Sequence, residues 1–233
     1  RQMCIRDRNM SISSAANTIN VTKEYLTRLS TLKEGTISVR YRSNPNQGLS
    51  ALFSLSSTDP GQENTYAVAY VNPTGNKAGV EVRQGNNSNV TNYNQVSATA
   101  SIRDDQWHTV VYVFGKTKFQ IYLDGKKLTE QDKSGFFDKI TEADSVKVGA
   151  LDRAPAKGGT NQWVFSGDID LVEVYGQALS ADEVAEMQKA TAYEPVIPDD
   201  PEDAVRTDTR LFYNGYENSA SYRIPSLLTT TEG

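Results

Sequence analysis

Apolar and polar residues alternate with a period of two through much of this chain, the spacing of half-buried strands rather than helices. From about Ile19 onward, segments such as "GTISVRYRS", "LSALFSLSS", "YAVAYVN", "GVEVRQG", "WHTVVYVFG", "KFQIYLDGKKL" and "SVKVGALDR" carry β-branched and aromatic residues, separated by Gly, Asn, Asp or Pro. Short strands at this spacing predict an antiparallel sandwich rather than strand–helix units. Asp124-Gly125 in "YLDGKKL" is the dipeptide a two-residue hairpin turn favours. The last predicted strand, "SGDIDLVEVYG", leads into "ALSADEVAEMQKAT". There Ser180 as N-cap and Glu183 three residues on make a capping box that opens one short helix.

The two ends depart from this pattern. Residues 1–11, beginning "RQMCIRDRNM", show neither an apolar export segment nor a strand period, and read as foreign or misread sequence with no role. Residues 12–192 are expected to form the sandwich. Residues 193–210 hold three of the chain's eight prolines among acidic residues, a linker composition. Residues 211–233, "LFYNGYENSASYRIPSLLTTTEG", turn apolar and aromatic again and are expected to begin a second folding unit.

Composition narrows the function classes. The chain has 233 residues and a formal net charge of −5, with a pI near 5.0. Phosphate neutralisation needs a basic face, so a general nucleic-acid binder is excluded. A few local arginines can still attract an anionic ligand, because screening acts over roughly 8 Å. No apolar run is long enough for a membrane helix. The lone cysteine, Cys4, excludes an intrachain disulfide and a cysteine-based zinc site. No cofactor or metal ligand set is legible, and a structural calcium is not readable either way.

Two stretches carry a family resemblance. "DDQWHTVVYVFGKTKFQIYLDGKKL" with "FSGDIDLVEVYGQALSADEV" resembles laminin-G-like and concanavalin-like sandwiches, and the "YRIP" step of the tail is similar to the opening of the catalytic propeller of bacterial sialidases. In this order, from about Ile12 to Gly233, they resemble a family-40 sialic-acid-binding carbohydrate-binding module joined to a family-33 sialidase (neuraminidase). The resemblance implies an all-β antiparallel jelly-roll β-sandwich with one short C-terminal helix, then a linker and an orphaned first strand of a β-propeller. It implies a secreted or cell-surface bacterial exo-α-sialidase whose partners are terminal sialic acids on glycoproteins or glycolipids. Arg223 would be the first arginine clamping the substrate carboxylate. The remaining catalytic residues have no match here, so this chain alone is expected to be inactive.

A terminal sialic acid offers a carboxylate, hydroxyls and an acetamido methyl, and so calls for arginine, an acceptor and an apolar wall. Glu81 and Arg83 lie two apart on a predicted strand and share a face. They read as a solvated charge pair from spacing, and as ligand residues by the resemblance. Arg153 and Trp163 match the family's later arginine and aromatic, although the loop between them is longer than the common form, and Lys157 is an alternative cation. Trp163 fits a core position equally well. Leu49 matches the aliphatic contact to the acetamido methyl, and Tyr70 an aromatic wall, with Tyr66 as its substitute. Trp107 and His108 read as structural residues at a strand start. The alternative function is a laminin-G-like adhesion or scaffold domain binding protein or other glycans, which the acidic balance and single cysteine disfavour.

Overall fold

The computed structural model describes residues 3–191, with side chains described from residue 11 to residue 189. These residues lie in one compact unit, Arg1–Ala192. The expectations for the linker, the tail and Arg223 fall outside the described residues. Twelve strands are present among the described residues: β1 (Met3–Ile12), β2 (Ile19–Asn20), β3 (Gly35–Ser43), β4 (Ser50–Ser56), β5 (Tyr66–Asn72), β6 (Lys77–Gly85), β7 (Val90–Thr99), β8 (Trp107–Phe114), β9 (Lys118–Leu123), β10 (Lys126–Asp132), β11 (Ser145–Val148) and β12 (Gly167–Tyr175). Two helices accompany them, α1 (Thr22–Leu29) and α2 (Ala181–Thr191).

The strands form two six-stranded antiparallel sheets, ordered β1-β12-β3-β8-β9-β10 and β2-β11-β4-β5-β6-β7. Their facing sides make the core. Ile37, Val39 and Tyr41 of β3 alternate inward against Ala67, Ala69 and Val71 of β5 and Val80 and Val82 of β6 in one apolar cluster. Phe136 closes the cluster between two other rings, its centroid 4.3 Å from Phe114 and 4.0 Å from Phe137. The sandwich is therefore the expected one.

Three features depart from the sequence reading. The N-terminal stretch expected to carry no element forms β1, whose backbone pairs with β12 from Met3↔Tyr175 to Ile12↔Gly167. Its Arg-Asp-Arg-Asn run interrupts any apolar alternation, but an edge strand is held by backbone ladder bonds that need no side-chain pattern. Helix α1 is a second helix where one was expected. Its eight residues are too few to be stable alone. Buried Leu29 and the Val146 N–H donating to Thr22 Oγ1 at 2.8 Å supply tertiary support that no local signal announces. Edge strand β7, "VTNYNQVSAT", was also unread, because its exposed face is polar throughout.

Local chemistry matches elsewhere. Asp124 and Gly125 take φ of 48° and 78°, as a tight hairpin turn requires. At the start of α2 the Ser180 N–H donates to Glu183 Oε2 at 2.9 Å, while the Glu183 N–H returns to Ser180 Oγ at 3.3 Å. The helix buries Val184 and Met187 against Val111, Val113 and Tyr175 on the outer side of the first sheet.

His108 ties the hairpin turn to the strand start. Its Nδ1 lies 2.7 Å from Asp124 Oδ2 and its Nε2 3.0 Å from Asp104 Oδ1. Burial opposes the charged ring, but hydrogen bonds to both carboxylates outweigh it and raise the His108 pKa above 6.5, while Asp104 is lowered below 3.8. A raised histidine contributes stability that is full below 6.5 and fades as pH rises through the folded value; a lowered aspartate contributes above 3.8 and fades in stronger acid. The clamp is therefore strongest between those limits. His108→Gln should lower unfolding free energy by about 1–3 kcal/mol at pH 5.5, as expected for hydrogen bonds to charged groups. The difference from wild type should shrink towards pH 8.5 in urea titrations, and a pH-independent difference would show that the ring acts by packing alone.

Candidate functional site

The outer face of the second sheet is where the chemistry collects. Strand parity turns Tyr66, Val68 and Tyr70 of β5 outward, opposite Arg83, Glu81 and Gly79 of β6. β7 continues the rows with Asn92 across from Arg83, Gln95 from Glu81 and Ser97 from Gly79. An outer face is ordinarily wet, yet Tyr66 and Val68 are buried here together with Ala51 and Leu151. The cover is the loop joining β11 to β12, which folds back over β4 and β5.

Asp152 pins this loop. Its Oδ1 accepts the Asn161 N–H at 2.8 Å and lies 3.0 Å from Lys147 Nζ, while its Oδ2 accepts the Ser145 hydroxyl at 2.9 Å. Leu151 and Gln162 exchange backbone bonds at 2.8 and 2.7 Å, and the Ala51 N–H donates to the Trp163 carbonyl at 2.7 Å. Gly158 and Gly159 turn the chain with φ of 102° and 72°. Trp163 itself sits at φ 51°, a strained setting for a bulky residue that the surrounding contacts must hold.

The clamped loop lays Arg153 and Trp163 over the strands. The Arg153 guanidinium carbon sits 4.9 Å over the Tyr66 ring. Its Nη2 donates to the Glu63 carbonyl at 2.9 Å and to Asn64 Oδ1 at 2.8 Å, and its buried Nε has no partner among the described residues. Trp163 meets Tyr66 and Tyr70 edge-on, with centroids 6.1 and 6.3 Å away. Lys157 lies in a 3-10 turn, Pro155–Lys157, and makes no ion pair among the described residues. Leu49, 37% exposed, immediately precedes β4.

Tyr66 joins the charges. Its hydroxyl donates to Glu81 Oε2 at 2.7 Å and accepts from Arg83 Nη1 at 3.1 Å, with Arg83 Nη1 and Glu81 Oε2 3.7 Å apart. Arg83 Nε donates to Asn92 at 2.6 Å. Burial first, then the charge of Glu81, pushes the Tyr66 hydroxyl up to about 12, against the opposing pull of Arg83, so it stays a neutral donor. The patch thus offers two guanidiniums, one carboxylate and an aromatic wall.

Glu81, Arg83, Arg153, Trp163 and Tyr70 accordingly meet on one face, while Leu49 is an exposed residue just before β4. Sequence reasoning treats Tyr66 only as a substitute for Tyr70; the structure uses both rings. It misses Gly79 altogether. A Cβ there would overlap the Tyr70 ring and hydroxyl, so the glycine lets that ring lie across β6. The only signal was a glycine opening "GVEVRQG". Among the described residues, no group of three or more His, Cys, Asp or Glu is placed to hold a metal ion.

Residues 3–192 match the family described as "Sialidase, N-terminal domain". This chain belongs to that family. It is 28% identical over 212 residues to the anhydrosialidase of Macrobdella decora, an alignment covering 87% of this chain and 25% of the relative. It is 23% identical to sialidase B of Streptococcus pneumoniae, covering 85% and 26% respectively. The chain thus spans about a quarter of the length of these curated relatives. Its fold is like that of the family-40 module of a Ruminococcus gnavus IT-sialidase bound to α2,3-sialyllactose. That likeness has a TM-score of 0.70 at 21% identity, covering 80% of this chain and 100% of the other.

The loop clamp makes a prediction of its own. Removing one partner of a buried ion pair leaves the other charge uncompensated, so Asp152→Ala should destabilise the sandwich by about 3–5 kcal/mol. The outcome is read from denaturant midpoints. A loss below about 1 kcal/mol, the scale of an exposed pair, would mean the loop is held by its other bonds.

Proposed function

We propose that the outer face of the second sheet binds terminal sialic acids, and that this chain is the sugar-binding module of an exo-α-sialidase acting on glycoproteins or glycolipids. The observation that carries the reading is the convergence of Arg83 and Arg153 on Tyr66 beside Glu81 and the Tyr70–Trp163 wall. Arg153 takes the carboxylate, for which a planar fork suits better than an ammonium. Glu81 accepts hydroxyl or amide protons, Arg83 holds Glu81 and donates to the sugar, and Tyr70, Trp163 and Leu49 receive the acetamido methyl and the ring face. Family membership supports this reading over a laminin-G-like adhesion domain. Such a module works outside the cell, secreted or at a bacterial surface. Among the described residues, no helix is long and apolar enough to cross a membrane.

One small exposed sugar allows micromolar to millimolar affinity, about −4 to −8 kcal/mol. Calorimetric titration with sialyllactose should give a Kd in that range, with no measurable response to lactose; equal responses would end the sialoside reading. Arg153→Ala should weaken binding by about 1.5–3 kcal/mol, the worth of a charge-assisted fork. Lys157→Ala should leave the Kd unchanged, and the reverse ranking would move the carboxylate to Lys157.

For the whole enzyme we propose hydrolysis with a tyrosine nucleophile, the exception among glycosidases that otherwise use paired carboxylates. Arg223 in the "YRIP" step, within residues 211–233, is the first arginine to grip the substrate carboxylate there. A single arginine cannot supply nucleophile, acid and charge stabilisation together. The pure chain should therefore release no fluorophore from a fluorogenic sialoside, and measurable turnover would overturn this assignment.

A further inference from the structure

Arg153 reaches the site on a long side chain with many rotamers, so something must choose the direction of its guanidinium. The Tyr66 ring supports one face, 4.9 Å from the guanidinium carbon. An aromatic face attracts a cation without selecting which N–H group points where. That selection is made at Nη2, which donates to the Glu63 carbonyl at 2.9 Å and to Asn64 Oδ1 at 2.8 Å. Nε is buried without a partner, and Nη1 makes no hydrogen bond with described residues. One end of the guanidinium is thus held by the protein and the other is left for a ligand.

Of the two acceptors, the Glu63 carbonyl belongs to the backbone, and the Asn64 amide is the one a side chain supplies. Asn64 is buried in the loop between β4 and β5. Its N–H donates to the Gly85 carbonyl at 2.9 Å and its Nδ2 to Asn87 Oδ1 at 3.3 Å. Asn87 lies in the turn between β6 and β7, and its own N–H donates to Glu63 Oε2 at 3.1 Å. The two ends of an amide differ, one donating and one accepting. Giving Nδ2 to Asn87 therefore leaves Oδ1 for Arg153, so the hairpin turn orients the amide and the amide orients the guanidinium.

We propose that Asn64 is a positioning residue for sialoside binding: its amide, oriented by Asn87, fixes Arg153 in the direction from which it takes the sugar carboxylate. A preordered arginine avoids the entropy loss that immobilising a flexible side chain on binding would bring. Asn64 acts through Arg153 alone. This rests on the sialoside reading above and on Arg153 as the carboxylate ligand.

The test is calorimetry on the whole chain with 3′-sialyllactose and its neutral C1 carboxamide, using wild type, Arg153→Ala, Asn64→Ala, the double variant and Asn87→Ala. Wild type should prefer the acid by about tenfold or more, the worth of a charge-assisted hydrogen bond, and Arg153→Ala should abolish that preference. Asn64→Ala should narrow the preference about fivefold with the carboxamide Kd unchanged, and should add nothing in the Arg153→Ala background. Asn87 is exposed, so Asn87→Ala should keep the fold, and it should narrow the preference about twofold. If Asn64→Ala does not fold, Asn87→Ala decides alone. Equal weakening of both ligands by Asn64→Ala, a further loss in the Arg153→Ala background, or an Asn87→Ala preference equal to wild type overturns the positioning role while the sialoside reading stands. If wild type binds neither ligand, the sialoside reading itself fails. If wild type binds both equally, or Arg153→Ala keeps the preference, Arg153 does not hold the carboxylate; in each of these cases the role of Asn64 falls too.

Discussion

The Asp152 carboxylate meets an ammonium, a hydroxyl and a backbone N–H at once, all within 3.0 Å. Everything above the second sheet depends on that meeting. Lys147 projects from β11 and Asp152 from the loop that follows it, so the pair fixes where the chain leaves the sheet. Lys147 Nζ also donates to Asn161 Oδ1 at 2.6 Å, closing the loop on itself. A buried ion pair adds less net stability than its Coulomb attraction suggests, because both charges lose water. Its effect here is directional, since an apolar pair of equal volume would offer nothing to the Asn161 N–H.

The clamped loop then makes a charged site possible on a partly buried surface. Two guanidiniums and a carboxylate sit close together in a chain whose net charge is −5. Tyr66 separates and connects them, with its hydroxyl between Arg83 and Glu81 and its ring face under Arg153. Burial holds that hydroxyl neutral, so it can donate to Glu81 while accepting from Arg83. The local field is cationic and hydrogen-bonding although the whole molecule is acidic, because screening acts within roughly 8 Å. On this face a module of the sialidase N-terminal family carries the chemistry proposed above for an anionic sugar.

The same loop sets the boundaries of recognition. By covering β4 and β5 it leaves β6 and β7 as the open side of the patch, where Asn92, Gln95 and Ser97 continue the outward rows. Gly79 contributes by having no side chain, since the Tyr70 ring occupies the space a Cβ would need. Shape on this face therefore comes from an omission on one strand and an aromatic on its neighbour.

Much of the fold was legible in the order of residues. Period-two alternation marked the long strands from β3 to β12 other than β7, Asp124-Gly125 marked the hairpin, and Ser180 with Glu183 marked the start of α2, because these signals act over a few neighbouring positions. Strand β1, strand β7 and helix α1 were not legible. Edge pairing uses backbone groups common to all sequences, and an eight-residue helix is held by contacts with β11. The site divides in the same way. By itself the sequence determined that Glu81 and Arg83 share a face, and it held arginines and aromatics where the family resemblance implies ligand residues. Only the tertiary structure decided that Arg153 rather than Lys157 lies over Tyr66, that Tyr66 links both charged groups, and that Gly79 makes room for Tyr70. Those outcomes depend on strand register and on closure of the loop through Asp152, which join residues far apart in the chain.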